Sequence, residues 1–253
     1  MMKNQRVNIT RREFLIGLSS VGAGFSLGLY LPRGSGVAQA AGEASSTIPE
    51  VNAWVVVNED DSVIIRVARS EMGQGTLTGL AQLVAEELEC DWSRVRTEYP
   101  TPGQSLARER IWGSFSTGGS QGIRGSHLYV RKGGAVAREL LLEAAAENWD
   151  VAKDECSVSA SLITHNPTGR TTTYGKVAAA AAEMIPPVEV ELKDPKDWKL
   201  IGKPVKRLDT AVKVTGKQVF GADLQLPGML NASIRACPVF GGKFASFDAA
   251  KLS

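Results

Sequence analysis

The residues best suited to chemistry form the turn Glu71-Met72-Gly73-Gln74-Gly75-Thr76, which stands between a β-branched run and an amphipathic stretch. In a strand-to-helix turn the first backbone N–H groups of the helix have no intrahelical partners and can converge on an anion. Glycine at 73 and 75 lets the backbone come close to such a ligand. Gln74 adds an amide that both donates and accepts. Met72, Gly73, Gln74, Gly75 and Thr76 are therefore candidate cofactor-binding residues. The pattern approaches a dinucleotide fingerprint, with Glu98 at the end of the next strand, but Gly79 follows Gly75 by four positions where the fingerprint wants three. A plain structural turn is the other reading.

A second candidate is Gly113-Ser114-Phe115-Ser116-Thr117-Gly118-Gly119-Ser120, whose hydroxyls and free amides just ahead of a second helix suit a phosphate or a polar heterocycle. Thr117, Gly118, Gly119 and Ser120 are its candidate cofactor contacts; the alternative is a surface loop without a ligand. Glu71 reads as an orienting or solvated acid, and no residue is assigned as catalytic. The chain has two histidines, His127 and His165, which argues against a histidine-built metal centre, and both read as surface or packing residues. Cys90, Cys156 and Cys237 form no Cys-x-x-Cys pair, so no metal residues are assigned: an iron–sulfur cluster or a structural zinc would need a partner chain. The three read as small buried apolar side chains.

Several elements must position these loops. Val51 to Val57 and Ser62 to Ala68, separated by Asn58-Glu59-Asp60-Asp61, predict a hairpin. From Thr76 to Glu89, Leu77, Leu80, Ala81, Val84, Ala85 and Leu88 recur at helical spacing, with Gly75 or Thr76 as cap. Val95 to Tyr99 reads as a strand and Pro100 to Gly122 as a long loop. A helix is expected over Ser126 to Trp149, then strands at Cys156 to Ser159 and Leu162 to His165, joined by the turn Asn166-Pro167-Thr168-Gly169 to an alanine helix that ends before Pro186-Pro187. Residues 186–203 are extended and charged and read as a linker. Beyond Pro204, Lys217 to Phe220 and Met229 to Ala236 read as strands.

The chain has 253 residues, 43% apolar and 22% charged, which excludes disorder, collagen and small disulfide scaffolds. Its net charge of +2 supplies no basic field for nucleic acid. Residues 1–40 hold Lys3, Arg6, Arg11, Arg12 and Arg33 against Glu13, so about +4 sits there and about −2 in the remainder. Thr10-Arg11-Arg12-Glu13-Phe14-Leu15-Ile16, a mildly apolar run to Leu31 and Ala38-Gln39-Ala40 read as a twin-arginine signal, cleaved after Ala40 or retained as a membrane anchor. Export to the periplasm by that route carries folded proteins and favours a bound cofactor.

Two further segments complete a pattern. Arg69-Ser70-Glu71-Met72-Gly73-Gln74-Gly75 with Val84-Ala85-Glu86-Glu87-Leu88 resembles the molybdopterin-binding subunit of the xanthine dehydrogenase family, and Ser116 to Ser120 is similar to its second cofactor-contacting segment. Ile201 to Asp209, Lys213 to Lys217 and Leu226 to Leu230 resemble the start of the family's aldehyde oxidase/xanthine dehydrogenase hammerhead domain. The order of segments behind a twin-arginine signal is similar to the isoquinoline 1-oxidoreductase beta subunit branch. The resemblance implies a mixed α/β (α+β) chain: a signal at 1–40, a molybdopterin-binding α/β domain at 41–185, the linker at 186–203 and an incomplete hammerhead at 204–253.

It further implies an oxidoreductase, a molybdenum hydroxylase acting on N-heteroaromatics or aldehydes. Its cofactor is molybdopterin with molybdenum, in a cytosine dinucleotide form. Its partners are the remainder of the large subunit, a small [2Fe–2S] subunit and a c-type cytochrome. Gln74 and its glycines would contact the pterin or pyrophosphate, and Thr117 to Ser120 would cradle the other side. The family's catalytic glutamate lies near the end of a far longer chain, so this chain is expected to be inactive alone. Phe240-Gly241-Gly242 is superficially similar to another family loop but reads as a turn. A non-catalytic exported cofactor-binding or interaction module, and a nicotinamide or flavin enzyme built on the Gly73 turn, are the alternatives.

Overall fold

A computed structural model describes residues 50–234 and 236–248; the proposed signal segment lies outside them. The fold is mixed α/β. Strand β1 (Val55–Val57) pairs antiparallel with β2 (Val63–Arg66), setting Val55 opposite Ile65 and Val57 opposite Val63. The hairpin closes at Asn58 and Ser62, with Asp61 in the left-handed region at φ 64°. β2 then pairs parallel with β3 (Val95–Glu98). A parallel pair needs a crossover, and helix α1 (Thr76–Leu88) provides it. Because α1 leaves the end of β2 through the Met72–Gly75 turn, that turn sits at the strand-to-helix end of a βαβ unit, as the sequence predicts.

The loop expected over 100–122 instead contains two short helices, α2 (Pro102–Ala107) and α3 (Gln121–Arg124). Thr101 caps α2 by accepting from the Gln104 amide while the Gln104 side chain returns to the Thr101 N–H, a capping box with proline just inside it. That Thr-Pro-x-Gln signal is local, but the glycine and serine around it obscure it in sequence. Helix α4 (His127–Trp149) packs along α1. The helices approach backbone to backbone at Gly134, where an added Cβ would lie 2.4 Å from the Val84 carbonyl oxygen. Strands β4 (Cys156–Ser159), β5 (Leu162–His165) and β6 (Arg170–Thr173) form an antiparallel meander. The Asn166–Gly169 turn thus leads to a third strand rather than directly to helix α5 (Tyr174–Glu183). A run of Arg and threonines pairs well enough along β5 to be strand, although its exposure removes the apolar alternation that would have announced it.

The core joins Trp54, Ile65, Leu80, Leu88, Leu141, Ile163 and Tyr174, all essentially inaccessible. Its polar atoms are used: buried Asn52 donates to the Gly133 carbonyl and accepts from the Trp54 and Val55 amides, Trp112 donates to Ala53, and the Tyr174 hydroxyl donates to the Leu88 carbonyl at the end of α1. Each bond removes an orphan that burial would otherwise make costly.

The chain divides into a unit ending at Ala211 and a second beginning at Val212. In the second, among the described residues, neither Lys217–Phe220 nor Met229–Ala236 is in a strand, which corrects the sequence expectation. A strand exists only where a neighbouring strand takes its backbone groups; here, among the described residues, the Lys217 and Gln218 amides turn back to the Val212 carbonyl and no strand pairs with them. Phe220, Met229, Leu230 and Ile234 are exposed.

Residues 186–203 are laid against the end of α1. Glu86 and Glu87, in its last turn, are buried, with side chains 1% and 0% exposed. Acids at a helix C-terminus oppose its dipole, so they require strong partners. Glu86 accepts from Lys193 Nζ at 2.9 Å and from the successive amides of Lys199, Leu200 and Ile201. Glu87 accepts from Arg131 and from the Lys193 amide. The Arg131 guanidinium also lies over the Trp198 ring and donates to the Lys193 carbonyl.

Candidate functional site

The first turn is organised by a residue read from sequence as merely orienting or solvated. The Glu71 carboxylate, 5% exposed, accepts from the amides of Gly73 at 2.7 Å, Gly75 at 3.0 Å and Leu77 at 3.1 Å. Arg207 Nη2 lies 3.0 Å from the same carboxylate. Burial alone would raise its pKa, but those amide bonds and the Arg207 charge outweigh burial and hold it below its ordinary value. The anion expected among the amides at the start of α1 is therefore the chain's own carboxylate. Gly73 and Gly75, at φ 101° and 84°, supply the left-handed turns that aim the amides inward.

Gln74 is exposed, and its amide shapes the turn: Nε2 donates to the Ser70 carbonyl at 2.9 Å and Oε1 accepts from the Met72 amide at 2.5 Å. Met72 is 67% exposed. Thr76 is buried and packs beside Gly122, where an added Cβ would lie 3.1 Å from its hydroxyl. Tyr99 accepts from the Glu71 amide. Arg207 completes the ring of contacts, donating to the Gly73 carbonyl and pairing with Asp209, while the Leu208 amide donates to Thr78 Oγ1. The Asp209 hydrogen bonds, then the Asp209 and Glu71 charges, push the Arg207 pKa up.

The structure brings the second loop to the first. Thr117 Oγ1 accepts from the Ser70 amide at 2.9 Å, and Arg69 Nη1 donates to the carbonyls of Ser114 at 2.7 Å and Ser116 at 2.6 Å. Gly118, Gly119 and Ser120 follow, exposed, with Gly119 and Ser120 both left-handed before α3. No atom outside the immediate chain lies within 4 Å of an added Cβ at Gly73, Gly75 or Gly118. Two stretches of bare backbone thus stand side by side, open on their outer faces. That arrangement fits a broad heterocycle with polar edges better than a compact anion, whose place Glu71 fills.

Of the residues that build this site, Glu71 has the orienting role that the sequence offered, while Arg69, Tyr99 and Arg207 were not singled out from sequence. Glu98, the acid a dinucleotide reading would need, is committed to Arg66 at 2.6 Å. Arg66 also pairs with Glu50, and Arg66 and Arg108 both lie over Trp112. His165 is buried between Thr168 and Glu155, a packing role. Cys90 and Cys156 are buried as expected, and burial pushes the Cys90 thiol up to about 12. Cys237, by contrast, is exposed, as are Leu230, Ile234, Val239 and Phe240 around it.

The sequence pattern of one family, described as the molybdopterin cofactor-binding domain, matches residues 6–219. The chain belongs to this family, and its cofactor is molybdopterin. It is similar to the isoquinoline 1-oxidoreductase subunit beta of Brevundimonas diminuta, 29% identical over 94% of this chain and 34% of the relative. It is also similar to the membrane-bound aldehyde dehydrogenase [pyrroloquinoline-quinone] of Gluconacetobacter polyoxogenes, 28% identical over 97% of this chain and 32% of the relative. The chain thus spans about a third of the length of these curated relatives. Among solved structures, a reconstituted CO dehydrogenase from Oligotropha carboxidovorans matches 50% of this chain and 15% of its own, with 20% identity and a TM-score of 0.38, a likeness too weak to place residues by.

Proposed function

We propose that this chain supplies the glycine-loop part of a molybdenum hydroxylase subunit that oxidises N-heteroaromatics or aldehydes. The reading is carried by one observation: the two glycine segments of a molybdopterin-binding chain lie side by side, joined by the Ser70–Thr117 hydrogen bond. When bound, the cofactor supplies a two-electron oxidation in which the inserted oxygen comes from water. The chain's own residues bind and orient. Gly73, Gly75, Gly118 and Gly119 offer close backbone approach, Thr117 and Ser120 offer hydroxyls, and Gln74 offers an amide once rotation about its side-chain torsions releases Ser70. Glu71 does not serve as a proton acceptor, because four donors already hold its carboxylate. On this reading, activity needs the remainder of the large subunit, where the family resemblance places the catalytic acid. The bound cofactor, in a cytosine dinucleotide form, would deliver its electrons to a [2Fe–2S] subunit and on to a c-type cytochrome.

The test is Gln74→Ala in the chain together with the segment that completes the subunit. Molybdenum and pterin content are expected to fall about tenfold, the worth of one buried polar contact of 1–3 kcal/mol. Since Gln74 also braces the turn, a small drop in thermal midpoint accompanies it. Unchanged occupancy would remove the assignment.

The N-terminal segment, on this reading, directs export to the periplasm and is cleaved after Ala40 or retained as an anchor. Replacing Arg11 and Arg12 by lysine is expected to leave the protein in the cytoplasm, as fractionation and blotting would show. Undiminished periplasmic yield would contradict it.

A further inference from the structure

Between its two ends, the second glycine loop is held by the half-buried Phe115 side chain and by a few polar ties. Trp112 is buried against Ala53 at the start, and Gly122 and Ile123 pack on Thr76 and Gly79 at the finish. Across residues 113–118 the ties to the first turn are Thr117 to Ser70 and the guanidinium of Arg69. Arg69 is well placed to hold a loop, because it follows directly on buried Val67 and Ala68. Its Nη1 reaches two carbonyls two residues apart, so the loop must bend around it, and its Nε reaches Ser126 Oγ at 3.2 Å, ahead of α4. Among the described residues Arg69 forms no ion pair; it donates to neutral oxygens on the second loop and at its exit. A planar fork that donates in several fixed directions can serve such a set, whereas a point-like ammonium serves part of it.

We infer that Arg69 is a positioning residue for the cofactor site: its guanidinium clamps the 113–118 loop to the 69–75 turn, so that both glycine segments face one ligand. The inference rests on the proposed function only for the identity of that ligand; the clamp is a property of the chain itself. Without it, the loop keeps its anchored ends but loses its fixed distance from the turn, and the cofactor must order the loop as it binds.

Two measurements on the full subunit with its natural complement test this. The first is limited chymotrypsin digestion, with the nick after Phe115 quantified by mass spectrometry. Phe115 is half-buried against the core, so cleavage there reports loop release. In Arg69→Ala this nick is expected to appear about tenfold faster, with α1 and α4 still uncut. Arg69→Lys, which can still reach carbonyls, is expected to fall between the two. The second is molybdenum and pterin content, expected to drop about tenfold in Arg69→Ala and to recover partly in Arg69→Lys. Thr117→Val, which removes the neighbouring tie at nearly constant volume, should add to the Arg69→Ala effect on cleavage. An unaltered nick rate in Arg69→Ala would overturn the clamp, and wild-type occupancy in that variant would overturn its role toward the cofactor. Should the unsubstituted protein hold no pterin, the proposed function fails, and the cleavage rate still decides the clamp.

Discussion

Glu86→Ala is expected to destabilise the first unit by about 3–5 kcal/mol, the cost of removing one partner from a buried ionic set. The substitution strands the Lys193 ammonium, leaving it the longer pairing with Glu89 at 3.2 Å, and leaves the amides of Lys199, Leu200 and Ile201 without their acceptor. It also releases the 190–201 segment, whose Val190, Leu200 and Ile201 cover the core. Chemical denaturation followed by tryptophan fluorescence would read the change, since Trp198 lies in the released segment. A loss below about 1 kcal/mol, the worth of a surface pair, would mean that the 190–201 segment is not held on Glu86 in solution.

The pH dependence of the same contact has a definite sign. Burial alone would raise the Glu86 pKa, but the Lys193 hydrogen bond and the amides of Ile201, Leu200 and Lys199 bring it below its ordinary value of 4.5. A carboxylate with a depressed folded-state pKa stabilises above its unfolded pKa and loses that contribution as the pH falls through the folded one. The wild-type midpoint should therefore decline as the pH drops below about 4.5, and Glu86→Ala should show a shallower decline over the same window.

Glu71→Ala is expected to empty the 71–77 turn of its own anion. Three amides and Arg207 lose their common partner, so the turn loosens at a cost of about 1.5–3 kcal/mol, the range for a hydrogen-bonded charge. Pterin content of the assembled subunit should fall at least as far as in Gln74→Ala, because the whole turn moves rather than one amide. Glu71→Gln keeps one acceptor but turns an NH2 toward N–H donors, and should fall between. Acetate or inorganic phosphate in the buffer should raise the thermal midpoint of Glu71→Ala by filling the vacated amides, while leaving the unsubstituted protein unmoved. Equal anion response in both proteins would show that Glu71 does not fill the nest.

The element order of the first unit could be read along the chain, because helix period, β-branched runs and glycine turns are local properties. Leu77, Leu80, Val84 and Leu88 announced α1, and the turn before it was located to the residue. The resemblance of Arg69 to Gly75 and of the later segments to a molybdopterin-binding subunit pointed to the cofactor, which the family match bears out. The Thr101 capping box and the β6 pairing were within reach of local rules but were obscured, the first by the surrounding glycine and serine, the second by a strand whose faces are both polar or half-exposed.

What only the tertiary structure decided was which charge meets which partner. Glu86 finds its amides more than a hundred positions away, at Lys199 to Ile201, and Arg207 reaches Glu71 from a similar distance. No local pattern encodes such a pairing, because a buried acid and a solvated one occupy the same place in a helical repeat until something is laid over them. For the same reason, the amides at the start of α1 looked open to a ligand in sequence and are filled by Glu71 in the fold. Conversely, Lys217 to Phe220 carried a strand's residue types, but a strand also needs a neighbour's backbone, which sequence alternation alone cannot supply.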